Sequence, residues 1–329
     1  MKRNYPYLLS VLLFITAGLT ACIKDRISPA EPEKVPVTLH FSTRAENNGN
    51  SSYENTIREI RIYAFSAGSP IRTGYYHASD QTTTSFAVNM QIIPGLTDFY
   101  FLINESASGF TQDLSSLSRN ELDRLIISDL PGNGTALPEV LPASLFSKDI
   151  QITKPAGGCF EIMEPFKADR SVAKINFRFA KELTGMPVYI KNITLENTAS
   201  ATKVFPADNT VLPYNRTIVF YNNTTGLAVN STLNHAPVIP ADSVHFSLLP
   251  ERPVYVFEKP AGQNYTVSVT YKRYEDGADE TKQFRITQVL PRNHELNIYI
   301  WIPDKPKDIK FKYEVTEWQA QTITIPPFN

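Results

Sequence analysis

Apolar residues recur at every second position over most of this chain. In Val35–Arg44 (VPVTLHFSTR), Val37, Leu39 and Phe41 alternate with Thr38, His40 and Ser42, the period of a strand with one buried face. IREIRIYAFS places Ile60, Ile62 and Ala64 on one side and Arg61, Tyr63 and Phe65 on the other. After the turn signal AGSPIRTG come short strands near Thr83–Met90 and Thr97–Asn104. The second contains FYFLI, the continuous apolar run of a strand buried on both faces. The period then changes: in SRNELDRLIISDL, Leu122, Leu125 and Ile126 fall at helical spacing behind Ser118 or Asn120 as a cap. This predicts one short helix ending at Pro131. Pro131–Pro155 reads as irregular. A second series opens near Gly158 with CFEIMEPF, then SVAKINFRFA, with Ala173, Ile175, Phe177 and Phe179 inward and Lys174, Asn176 and Arg178 outward. PVYIKNITLEN, TIVFYN, VHFSLLP, PVYVFE, YTVSVTYKRY, KQFRITQVL, ELNIYIWI, KFKYEVTEW and QTITIPPF follow. Strands so closely spaced between turns predict an all-β chain of antiparallel β-sandwiches rather than βαβ units. The pattern puts a domain boundary near Ala168, giving domains over 35–168 and 169–329.

The leader MKRNYPYLLSVLLFITAGLTAC joins two basic residues to an apolar run from Leu8 to Ile15 and ends Leu19-Thr20-Ala21-Cys22, a secretory signal closed by a lipobox. The apolar run is shorter than the ~20 residues a spanning helix needs. Residues 1–21 therefore read as a signal peptide, Cys22 as the lipidation site and 22–34 as a polar tether. Lipidated bacterial proteins carry a diacylglyceryl thioether and an N-acyl chain there, with palmitate-type acyl groups. At about 0.8 kcal/mol per buried CH₂ several chains give nearly irreversible anchoring. Downstream of the first strand, Arg44 is followed by AENNGNSS, polar and without apolar period, where a protease could enter. A cut between Arg44 and Ala45 would release strand and lipid together, leaving unpaired backbone groups and an open apolar groove.

Composition narrows the functional classes. The chain has 329 residues, enough for two ordinary domains. A net charge of -1 offers no basic surplus for phosphates, so no nucleic-acid partner is expected. With Cys22 in the lipobox, the only other cysteine, Cys159, has no partner for a disulfide and reads as a small buried hydrophobe beside Phe160 and Ile162. The five histidines (40, 77, 235, 245, 294) form no HExxH or close pair, and no metal or other cofactor is expected. Ser171-Val-Ala-Lys174 matches SxxK but lies on an alternating strand without SDN or KTG partners, so no catalytic residue is assigned. Glu275–Glu280 is acidic enough to suggest calcium, yet sits where a hairpin turn wants polar residues and Gly.

The order lipobox, tether, strand ending in Arg, IREIRIYAFS, DRSVAKINFRF, YVFEKPAG, LPRNHELNIYI and KYEVTEWQ resembles the fimbrillins, the type V pilins of Bacteroidales, over nearly the whole mature chain. The resemblance implies two transthyretin-like β-sandwich domains and no enzyme activity. It implies a lipoprotein precursor in the cell outer membrane, and an arginine-specific protease that removes the first strand at Arg44–Ala45. It further implies assembly into a surface fimbrium (pilus) with other fimbrial subunits by β-strand exchange, with a role in adhesion to a host or bacterial surface ligand. The donor strand is then the segment after Trp318, with Ile323 and Ile325 alternating inward and Phe328 as a terminal plug. Asp242-Ser243-Val244 resembles the O-glycosylation tripeptide of these bacteria, making Ser243 a candidate. The residues after Cys22, Ile-Lys-Asp-Arg, carry little of the acidic character of a surface-export signal. Beside a shaft or tip subunit stand two other readings: an anchor lipoprotein that keeps its first strand, and a non-polymerising surface lipoprotein that binds a ligand.

Overall fold

The computed structural model describes residues 32–43, 52–83, 85–130, 138–182, 186–206, 213–234, 238–240, 244–304 and 308–318. The chain divides into Met1–Lys34, of which only the exposed residues 32–34 are described, and Val35–Asn329.

The fold is all-β. Its first strands are β1 (Val35–Thr43), β2 (Ile60–Ser66), β3 (Arg72–Ala78), β4 (Ser85–Ile92), β5 (Gly95–Ile103), β6 (Ile126–Ile127), β7 (Ala143–Ile152) and β8 (Phe160–Arg170). Except for β6 they join in one sheet of order β3-β2-β5-β7-β8-β1-β4. β7 and β8 pair only at Ala143↔Arg170 and Ser144↔Asp169, so the sheet folds over at that corner. Its far edges then meet, with Ile93 N donating to Thr73 O at 3.4 Å. Gly74 allows this approach, since a Cβ there would lie 3.0 Å from Gln91 O. Inside sit Ile60, Ile62, Val88, Phe99, Phe101, Ile103, Phe166 and the inward face of β1.

The remaining strands are β9 (Ala173–Lys181), β10 (Val188–Thr198), β11 (Thr202–Lys203), β12 (Arg216–Ala228), β13 (Ser247–Leu248), β14 (Val254–Val256), β15 (Tyr265–Arg273), β16 (Asp279–Ile286), β17 (His294–Ile302) and β18 (Lys310–Glu317). One sheet runs β12-β10-β15-β16; the other runs β13-β9-β17-β18, with β14 also on β9. Their core, including Ile175, Phe177, Ile193, Val267, Leu296 and Ile298, is continuous with Tyr63, Phe65, Tyr100 and Leu102 on the outer face of β2 and β5. Thus the aromatic second face of IREIRIYAFS is covered by protein. The β6–β11 pair joins residues before Ser171 to residues after it.

Several expectations need correction. The helical period yields one turn only, α1 (Arg119–Leu122), capped by a Ser118–Glu121 capping box. So short a helix is marginal alone, and Ile126 turns out into β6, 46% exposed. Pro131–Pro155 is not all irregular, since β7 lies within it; its burial does not alternate, and exposed Lys148 and Asp149 break its run, which hid the strand signal. Neighbouring strands are antiparallel except β1 with β8 and β17 with β9, which run parallel. The outward face of β9 is buried at Lys174 and Asn176, because charged partners from other segments cover it. Cys159 is exposed: it precedes β8, and its thiol donates to Pro36 O at 3.2 Å instead of entering the core.

Candidate functional site

β1 is an interior strand, followed by residues 44–51, which lie outside the described residues. It pairs antiparallel with β4 from Val35↔Ile92 to Ser42↔Ser85, and parallel with β8 from Val37↔Phe160 to Thr43↔Ala168. The β8 register slips between Ile162 and Phe166, a bulge that takes in Pro165 where a ladder donor is missing. Val35, Val37, Leu39 and Phe41 are at most 3% exposed. Each such side chain contributes about 1.5–3 kcal/mol of gross burial. Phe41 ends the row in an aromatic cluster, its ring 6.3 Å from Phe101, which lies 4.7 Å from Phe166 and 5.9 Å from Phe99. On the outward face, the Thr38 hydroxyl donates to Asn89 Oδ1 at 2.6 Å and lies 3.1 Å from Cys159 Sγ, while His40 Nε2 meets Glu161 Oε1 at 2.9 Å.

Beyond residue 51 the chain is tied down at once. A 3-10 turn, Ser52–Glu54, buries Glu54 among three elements. Arg170 Nε donates to Glu54 O at 2.9 Å, and its Nη2 donates to Asn55 Oδ1 at 2.6 Å. Lys174 Nζ lies 3.2 Å from Glu54 Oε1, and Tyr255 OH donates to the same oxygen at 2.7 Å. Burial draws the Arg170 guanidinium down to about 10, opposed by Glu54, Tyr255 and Asp169, so it stays charged at neutral pH. The same guanidinium lies 4.2 Å from the ring of Trp318, which stacks on Tyr255 at 6.0 Å. Trp318 N donates to Asn293 O at 3.1 Å, and Arg170 Nη1 donates to Asn293 Oδ1 at 2.9 Å. One buried network thus holds both the root of the segment after β1 and the end of the second sandwich.

Cys22, Arg44, Ala45, Ser243, Ile323, Ile325 and Phe328 lie outside the described residues. The SxxK pair is not arranged as nucleophile and free base: Lys174 is held by Glu54, with Glu295 at 3.7 Å, and Ser171 Oγ is buried without a hydrogen-bond partner. In the acidic hairpin, Glu280 is held by Arg273 and Asp279 by Lys191 at 2.9 Å. His77 Nε2 is 3.7 Å from Glu105, and His294 Nδ1 is 2.9 Å from Arg292 O. Sequence reasoning missed the Arg170 network, although DRSVAKINFRF holds Arg170 and Lys174, YVFEKPAG Tyr255, LPRNHELNIYI Asn293 and KYEVTEWQ Trp318; alternation does not show which polar residues meet across the fold.

No family model matches this chain, and neither does any curated protein. Among solved structures, the C-terminally truncated tip fimbrial protein Mfa3 from Porphyromonas gingivalis aligns with a TM-score of 0.57 at 13% identity, covering 87% of this chain and 100% of that one. Fimbrilin FimA from Porphyromonas gingivalis W83 aligns at 0.56 and 13%, covering 88% and 99%. A fimbrial protein from Bacteroides vulgatus ATCC 8482 aligns at 0.52 and 10%, covering 86% and 99%. At such identities the likeness establishes the fold, and this chain has the fold of these fimbrial proteins over nearly their whole length.

Proposed function

We propose that this chain is a non-enzymatic fimbrial subunit. It is exported as a lipoprotein through Cys22, cut between Arg44 and Ala45 by an arginine-specific protease, and joined to other fimbrial subunits at the cell surface by β-strand exchange. The body is read as two sandwich domains, 35–168 and 169–329, with Ile323, Ile325 and Phe328 on the donor strand.

The observation that carries this reading is the seating of β1 between β4 and β8. An interior strand with four buried side chains, linked forward through an eight-residue span, is a removable plug. Its loss leaves two ladders unpaired around an apolar slot, which a strand from another chain fills by β-augmentation, as in donor-strand complementation of pilins. The Glu54–Arg170 network supports the same sequence of events: a cut in 44–51 frees β1 and leaves the turn at 52–54 fastened. The fold shared with fimbrial proteins supports it independently.

The test is the N-terminus of protein taken from surface fibres, read by mass spectrometry. Ala45 is expected there, and Arg44→Ala should accumulate as a lipidated monomer that does not polymerise. Fibre protein beginning at a lipidated Cys22 would overturn the cut and favour an anchor role.

A further inference from the structure

The slot of β1 sets terms for whatever replaces it. Four inward positions are fully buried, and the last holds a phenylalanine ring against Phe101. On the outward side Asn89 accepts from the residue at position 38, and Glu161 meets an imidazole at position 40. From Val37 onward partner strands lie on both sides, so a proline in this stretch removes a ladder bond.

The segment Gln321–Asn329, QTITIPPFN, does not meet these terms. Ile323 and Ile325 are two apart and share a face. Phe328 follows Ile325 by three, an odd step, so its ring points to the opposite face in either chain direction unless a bulge intervenes. Setting the isoleucines at positions 37 and 39 brings Pro326 and Pro327 to positions 40 and 41. Pro327 then stands in the aromatic site and Glu161 faces no basic group. Setting the isoleucines at 39 and 41 instead buries Gln321 at position 37, puts an isoleucine in the phenylalanine site and sets Thr324 opposite Glu161. Setting Phe328 at position 41 turns both isoleucines to solvent.

Resting on the strand-exchange reading above, we infer that this slot takes its replacement strand from a different subunit and not from the C-terminal segment of a second copy of this chain. The strand that fits has apolar side chains at three alternating positions, a phenylalanine-sized aromatic at the next inward position, and a basic or imidazole side chain just before that aromatic. The chain therefore sits at a junction between unlike subunits.

The experiment uses full-length protein nicked after Arg44, or at a protease site placed within 45–51 if Arg44 resists, with β1 still seated. Fluorescent nonapeptides VPVTLHFST, VPVTLHAST and QTITIPPFN are offered in turn. The first is expected to exchange in. The other two should bind about 100-fold more weakly or worse, the cost of emptying a phenylalanine site. Equal capture of QTITIPPFN and VPVTLHFST overturns the inference and leaves strand exchange standing. If no peptide enters, strand exchange itself fails, and the slot's preference is read on the intact chain: residues 35–43 are replaced by QTITIPPFN, with Phe41→Ala as a milder variant. Both should melt below the wild type, the graft lower; a graft as stable as the wild type overturns the inference.

Discussion

Asp98 lies inside β5, 2% exposed, and gathers donors from three separate segments: Gly68 N at 3.1 Å, Asp149 N at 2.9 Å and the Arg119 guanidinium at 2.7 Å. Burial by itself would raise its pKa, but the two amides and Arg119 together hold it below the usual aspartate value. A carboxyl lowered in this way stabilises the fold at every pH above its unfolded value, and that stability disappears as pH falls through the folded one. Asp98→Asn should therefore cost about 2–3 kcal/mol at pH 7. It should also lose less stability than the wild type between pH 7 and pH 3, by chemical unfolding. Equal acid losses in both proteins would show that Asp98 is not the responsible group. None of this was readable in TDFYFLI, where Asp98 is one polar residue in an apolar run; its amide donors come from residues 30 and 51 positions away, one in the turn after β2 and one in the broken pattern of β7, where no periodic signal marks them. Cys159 failed for a related reason. Its neighbours suggested burial, but the strand starts one residue later.

Among the elements, β1 was readable position by position, because strict alternation admits one buried face and a slip of one residue would reverse it. Leu39→Ala should thus cost about 2–5 kcal/mol, as for a leucine in a packed core. His40→Ala, one residue on, removes only a half-exposed contact with Glu161 and should cost at most about 1 kcal/mol. Urea unfolding of the two variants checks the contrast, and similar losses would mean that β1 is not gripped on one face. β7 could not be read in this way: Ser147, Lys148 and Asp149 interrupt its apolar face, and its place between β5 and β8 is fixed by partners distant in sequence. The overlong helix is the opposite error. Leu122, Leu125 and Ile126 have helical spacing, but after one helical turn the chain enters a short strand that buries Ile127 and turns Ile126 out.

For the molecule as a whole, the question is what the residues after Trp318 contribute to the body that precedes them. The second sandwich has both its sheets and a continuous core among the described residues, and β18 is an edge strand with a largely exposed pattern. Its end is fastened by Trp318, 3% exposed, under Arg170 and against Tyr255. If Gln321–Asn329 is a donor strand, deleting it leaves this fastening intact, so the melting temperature should stay within about 2 °C of the full chain, a change below roughly 1 kcal/mol. The same deletion should abolish fibre extension. Truncation after Glu317 should behave differently. Losing the Trp318 ring leaves Arg170 a buried cation without its aromatic cover and opens the space beside Tyr255, a loss of about 3–5 kcal/mol. The contrast between the two truncations decides the matter: a large drop in melting temperature on deleting Gln321–Asn329 would make that segment a core strand of its own domain, and fibres that still grow without it would remove its assignment as the donor.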